Sequence, residues 1–154
     1  MAQTPNPEVP TLVAIGLASE AGAPVLPVPS ADLVPGTGIP EDRYGRGGGT
    51  WRDCPDREVT LVEEETAAAA GIADALLLRR NLVTRGIDLR TLVGRRFRIG
   101  LAVLEGVCPC DPCGYLESRV APGLKARLGG WGGLRARVIV GGRIGVGDPV
   151  TPVE

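Results

Sequence analysis

Histidine is missing from this chain of 154 residues, and lysine and methionine occur once each, at Lys125 and Met1. Without histidine no serine-based triad can be assembled, and Ser19, Ser30 and Ser118 carry no local nucleophile signature. With one lysine, five aromatic residues and a pI near 5.6, nucleic acid is not the expected partner. The scarcity of aromatics also means that the core must be built from Val, Leu, Ile and Ala. No apolar run approaches the ~18 residues that a membrane helix needs. The opening stretch, Met1–Pro10, lacks the basic and apolar regions of a signal peptide. The expected compartment is therefore the cytosol, where clustered cysteines more often bind metal or do chemistry than form disulfides.

What is present in excess is glycine and proline, 23 and 14 residues, which favours turns and short strands over long helices. The length suits one domain, with Met1–Pro10 as a flexible tail and residues 11–154 as the folded unit. Net charge is −1 but unevenly spread: residues 1–75 hold 4 basic and 12 acidic side chains, residues 76–154 hold 13 and 6. An arginine-rich half can meet an anion such as a phosphate. The plainer reading is a solvated, dipolar surface.

Thr11–Leu17 reads as a first strand, Ala23–Pro40 as loop or irregular edge, and Glu41–Pro55 as a second long loop. Arg57–Val62 suits a strand and Glu63–Leu78 a helix with acids in its first turn. Asn81–Thr84 is a short extended piece, followed by a turn-like segment, Ile87–Val93. Arg95–Val107 reads as a strand pair or one bent strand, with Phe97, Ile99, Leu101 and Val103 on one face and a bend near Gly100. Cys113–Leu128 can form one or two short helices. Leu134–Val140 alternates, and Gly141-Gly142 signals a hairpin to Arg143–Val146. Gly86, Gly94, Gly100 and Gly147 are expected in turns that need positive φ, and Asp148 is expected to cap a turn. Alternating βαβ units are not evident, so the expectation is a mainly β fold, a β-barrel with one to three short helices.

Three of the four cysteines, Cys108, Cys110 and Cys113, fall within six positions. Cys113 follows Pro112 and opens a helix-like segment, where backbone N–H groups favour a thiolate that could carry a persulfide sulfur or bind a soft metal. Alternatively Cys108, Cys110, Cys113 and Cys54 form a structural zinc-thiolate site in a non-enzymatic module, or Cys110 and Cys113 a redox pair. Cysteines of this kind can also be buried and inert. Gly45–Gly49 resembles a phosphate loop only in composition, lacking the Gly-Lys-Ser/Thr ending.

The ordered set Gly38-Ile-Pro-Glu-Asp-Arg-Tyr-Gly45, Arg57-Glu-Val-Thr-Leu-Val-Glu63, Arg79-Arg-Asn81-Leu-Val-Thr84-Arg-Gly86, Leu92-Val-Gly94, Phe97-Arg-Ile-Gly100, Pro112-Cys113 with Leu116-Glu117, and Gly141-Gly-Arg-Ile-Gly-Val-Gly147-Asp148-Pro-Val150 resembles the MOSC domain, named from the C-terminal domain of molybdenum cofactor sulfurase. The likeness runs from about Val13 to Val150. It implies a MOSC-type β-barrel and a role connected with the molybdenum cofactor (molybdopterin): binding it, carrying sulfur to it as a sulfurtransferase, or acting as a small molybdenum-dependent reductase. By the same resemblance Cys113 matches the family's key thiol, a persulfide carrier or molybdenum ligand. Arg79 and Asn81 match a stretch that lies near the cofactor, and Thr84, Arg98 and Trp131 are further candidates for the ligand wall. The implied partners are the pterin cofactor or a sulfur donor or acceptor protein. Glu63-Glu64-Glu65 stands where reductase relatives carry Ser or Thr, and these acids repel a phosphate unless they face away. Cys108 and Cys110 are extra thiols that could resolve a persulfide or add metal ligands. Pyridoxal phosphate is not expected, because Lys125 sits in no matching motif.

Overall fold

The computed structural model describes residues 9–19, 23–42, 58–110 and 123–153. Its strands are β1 (Thr11–Leu17), β2 (Leu26–Val28), β3 (Ser30–Leu33), β4 (Val59–Glu63), β5 (Leu82–Arg85), β6 (Arg96–Ile99), β7 (Ala102–Pro109), β8 (Leu134–Val140), β9 (Gly142–Gly145) and β10 (Val150–Pro152). Two short α-helices, α1 (Glu64–Ala69) and α2 (Leu124–Arg127), and one-turn 3₁₀ helices at Ala75–Leu78 and Leu89–Leu92 complete the described elements. The fold is mainly β, as the sequence predicts.

One sheet of eight strands runs β10-β6-β7-β8-β4-β5-β1-β2, and β3 pairs with β9 in a second. Among the described residues the sheet is not closed into a barrel, which corrects the expected closure. An isolated bridge, Thr11 to Pro149, brings β1 towards β10. It stays a bridge because Pro10, Pro149 and Pro152 offer no N–H with which to extend a ladder, and because β2 occupies the far edge of β1.

The pattern of buried residues explains the strands. A first core joins Leu12, Ile15, Leu61, Leu82, Phe97, Ile99, Leu104, Leu134 and their neighbours on one face of the sheet. A second, smaller core on the other face packs α1, α2 and the Ala75–Leu78 turn on Val62 and Val83. Ala67, Leu76, Leu78, Leu124 and Leu128 are the side chains those short helices bury there.

Four local expectations change. The Glu63–Leu78 helix stops at Ala69, since Gly71 takes φ +81° and Asp74 starts a new turn by accepting from Leu76 N at 3.0 Å. The segment nevertheless joins two parallel strands, β4 and β5, so one βαβ crossover is present. At Gly100 the chain turns sharply enough to reverse parity: Ala102 and Leu104 are buried, while Leu101 is 75% exposed. Gly141-Gly142 is not a hairpin turn, because β9 pairs with β3. Those glycines permit close approach instead: a Cβ on Gly142 would lie 2.8 Å from the Leu101 backbone, and one on Gly141 2.9 Å from Leu33 O. Gly86, Gly94, Gly100 and Gly147 do take positive φ, and Asp148 caps its turn by accepting from Gly145 N at 2.8 Å.

Candidate functional site

β4 and β5 are parallel, and β7 is antiparallel to β8, which is antiparallel to β4. All three strands therefore point the same way, and Glu63, Arg85 and Pro109 end them at a common rim. A cavity of about 480 Å³ opens at the ends of β4 and β5, lined among others by Glu63, Glu65, Asp88, Arg90 and Arg127. Arg127 ends α2, so the cavity also borders the element that follows the cysteine run.

Glu63 is buried at this rim and well supplied with donors. Its Oε1 accepts from Trp131 Nε1 at 2.8 Å and Thr66 Oγ1 at 3.1 Å, and its Oε2 accepts from Leu89 N at 3.1 Å. The last bond places the carboxylate at the start of a 3₁₀ turn, whose backbone N–H groups lack partners within the helix. Arg90 then covers the Trp131 ring, 4.8 Å from its centroid, a cation–π contact. Trp131, expected on a ligand wall, is thus a donor to Glu63 and part of the first core. The other two acids are engaged as well. Glu64 pairs with Arg85 at 2.7 Å, raising the pKa of that guanidinium, and Glu65 accepts from Gly86 N at 2.8 Å.

Two cysteines of the run, Cys108 and Cys110, lie at the end of β7 towards that rim. Cys110 closes the β7–β8 ladder through its N–H to Gly133 O at 2.8 Å, and its side chain is buried. Cys108 lies opposite Arg135, whose Nη1 stands 3.8 Å from the Cys108 sulfur. Arg135 in turn pairs with Thr60 on β4. Thr60 N and Oγ1 donate to Asn81 Oδ1 at 3.2 and 3.3 Å, and Thr60 Oγ1 accepts from Asn81 N at 3.1 Å. Asn81 Nδ2 donates to Gly16 O at 3.2 Å. The sheet thus aligns Cys108, Arg135 and Thr60 in one row across β7, β8 and β4, with Asn81, just before β5, bonded to its end.

The other candidates scatter. Arg79 takes a left-handed conformation, φ 62°, and donates from Nη1 to Ala23 O at 2.7 Å. Thr84 is fully buried, and its hydroxyl has no hydrogen-bond partner among the described residues. Arg98 is exposed on β6, separated from β4 by β7 and β8. Cys54 and Cys113 lie outside the described residues. Among the described residues no group of three or more His, Cys, Asp or Glu side chains converges as a metal site. Sequence reasoning passed over Glu63 as a hub, Arg80 and Arg135. Arg80 was hidden by its neighbours in Arg79-Arg80-Asn81, and Arg135 by an alternation that reads as outward-facing.

The sheet order and the shared rim define a mainly β fold with a candidate site at the ends of β4, β5 and β7. A profile of the MOSC domain family matches residues 54–151, well over half of the sequence. The chain belongs to the MOSC domain family, which is generally linked to molybdenum cofactor sulfurase-like proteins. No curated protein matches it in sequence. Among solved structures it is similar to the YuaD protein from Bacillus subtilis, with a TM-score of 0.72, 21% identity and coverage of 92% of this chain and 94% of that one. YiiM from Geobacillus stearothermophilus gives a TM-score of 0.71, 19% identity and coverage of 94% and 75%. YiiM from Escherichia coli gives a TM-score of 0.65, 20% identity and coverage of 94% and 70%. At these identities the likeness establishes the fold. Among the described residues no helix is long and apolar enough to cross a membrane.

Proposed function

We propose that this MOSC domain handles the molybdenum cofactor or the sulfur destined for it, with Cys113 as its reactive thiol. One observation supports the reading: β7, which carries Cys108, runs the same way as β4 and β5, at whose ends the cavity opens. Cys110 is held there by its ladder bond to Gly133, and three residues of chain span at most about 11 Å. In the sulfur-carrier form, the Cys113 thiolate attacks the outer sulfur of a donor persulfide. The donor S–S bond breaks, the donor leaves as a thiolate, and Cys113 holds the transferred sulfur as a persulfide.

The residues present fit the anionic end of a pterin cofactor. Arg80 is a buried guanidinium without a carboxylate partner among the described residues, and the three acids of the β4–α1 corner are already engaged. When bound, the cofactor supplies the molybdenum chemistry; the chain's part is to hold it and to present a thiol. Asn81 serves this role indirectly, by tying β4 and β1 to the residue that follows Arg80.

The test is mass spectrometry of the protein incubated with a persulfide donor, together with elemental analysis. A gain of one sulfur on Cys113, absent from Cys113→Ser, or molybdenum with a pterin, supports the reading. About one zinc per chain, lost when any of Cys54, Cys108, Cys110 or Cys113 is replaced, sinks it in favour of a zinc-thiolate module.

A further inference from the structure

The eight-stranded sheet buries its two faces unequally. On β6, β7 and β8 the first core takes Phe97, Leu104 and Val138. Successive side chains of a strand point to opposite faces, so Arg96, Arg98, Val103, Glu105, Arg135 and Arg137 lie on the other side. The helices of the second core cover that side at β4, β5 and β1, through Val62, Val83, Val13 and Ala14. Over β6, β7 and β8 the six side chains remain exposed or half-buried.

The charges on this open face do not balance. Four arginines stand against one acid, Glu105, which Arg96 and Arg137 share at 3.5 and 2.6 Å. Arg98, in register with Val103 and Thr151, meets no carboxylate among the described residues. Acids are not scarce in this protein. The chain has 18 of them to 17 basic residues, and Glu63, Glu64 and Glu65 gather at the β4–α1 corner. Protein surfaces ordinarily intersperse the two signs, and a field of one sign serves to attract the other. The residue types point to a protein partner. The basic residues are all arginine, which is enriched at protein interfaces where lysine is depleted, and Val103 and the half-buried Ile139 give aliphatic surface beside them. No aromatic side chain lies on the face to stack a base, which disfavours nucleic acid.

We propose that the open face of β6, β7 and β8 docks a partner protein through an acidic segment of that partner, whose carboxylates pair with Arg98, Arg96 and Arg137. Guanidinium forks match carboxylates in bidentate geometry. The face ends at Arg135 and Cys108, with Arg135 Nη1 3.8 Å from the Cys108 sulfur. A partner lying along β7 and β8 therefore reaches the first cysteine of the run. The inference goes beyond the cofactor reading, and the docking does not depend on the chemistry of Cys113.

The experiment is fluorescence anisotropy of a fluorescein-labelled octaglutamate peptide titrated with the full chain. Binding is expected to saturate, and to weaken as sodium chloride rises from about 0.05 M to about 0.5 M, because exposed charges are screened. Arg98→Glu and Arg137→Glu are each expected to weaken it by about tenfold, since each sets like charge against the peptide. Arg143→Glu, on β9 and away from this face, is expected to bind like wild type. If Arg137→Glu does not fold, as circular dichroism would show, the exposed Arg98 carries the test alone. Cys113→Ser is expected to bind like wild type, so that failure of the sulfur reading is told apart from failure of this one. A wild-type protein that ignores the peptide, a loss in Arg143→Glu equal to that in Arg98→Glu, or tighter binding of a single-stranded RNA of equal length overturns the proposal.

Discussion

Glu63 and Arg80 are both charged and both almost wholly buried, at 4% and 8% exposure, yet their surroundings differ in kind. Glu63 accepts from an indole, a hydroxyl and a backbone amide, and so ties together α1, the Leu89–Leu92 turn and the Trp131 segment. Arg80 donates from Nε to Gly132 O, and no carboxylate among the described residues meets it. A buried charge with a full set of partners is a structural device. A buried charge without one is a place where the free protein is less stable than it could be, and stability sacrificed in that way is characteristic of sites that bind.

The strongest way to break this comparison is to remove the carboxylate. Glu63→Ala leaves three donors without their acceptor and is expected to lose about 3–5 kcal/mol, read from urea unfolding. A loss below about 1 kcal/mol would place Glu63 among ordinary surface acids. Asn81→Ala comes next. It exposes Thr60 N and Gly16 O to an empty site and is expected to cost about 2–3 kcal/mol. If the change instead altered ligand binding at full stability, Asn81 would belong to the site rather than to its support. Arg80→Met reverses the sign, with an expected gain of about 1–3 kcal/mol in urea unfolding.

The smallest effect sharpens the contrast at the surface. The hydrogen bond from Arg137, followed by the charges of Arg137 and Arg96, holds the Glu105 carboxyl below its ordinary 4.5. A depressed folded-state pKa adds stability above the unfolded pKa, and that stability is lost as pH falls through the folded value. Glu105→Gln should therefore narrow the gap between neutral and acid unfolding midpoints slightly. An equal acid dependence in both proteins would show that this pair contributes nothing.

Much of the sheet is readable in the chain itself. Thr11–Leu17 and Leu134–Val140 are strands over the spans their apolar runs suggest, because alternation states which face is buried. Positive φ at Gly86, Gly94 and Gly147 is likewise a local matter. The Gly141-Gly142 pair misleads because a glycine needed for close approach looks the same as one needed for a turn. What decides between them is Leu101 and Leu33, about 40 and 108 residues away in sequence. Leu101 misleads in the same manner, since one turn at Gly100 inverts the parity of Ala102 and Leu104, the β7 residues that follow it.

The candidate site divides along the same line. The sequence by itself determined which chemistry is available: no imidazole, a run of thiols, an arginine-rich half and the ordered signature of the MOSC domain. Only the tertiary structure decided which of those groups are spent. It left Asn81 saturated and Arg79 bonded to Ala23, and it engaged the three acids that threatened to repel an anion. It also left Arg80 without a counter-charge among the described residues. The reason is physical: a residue type states how many hydrogen bonds a side chain can make, but the partners come from strands distant in sequence, and only their packing shows which bonds remain to be made.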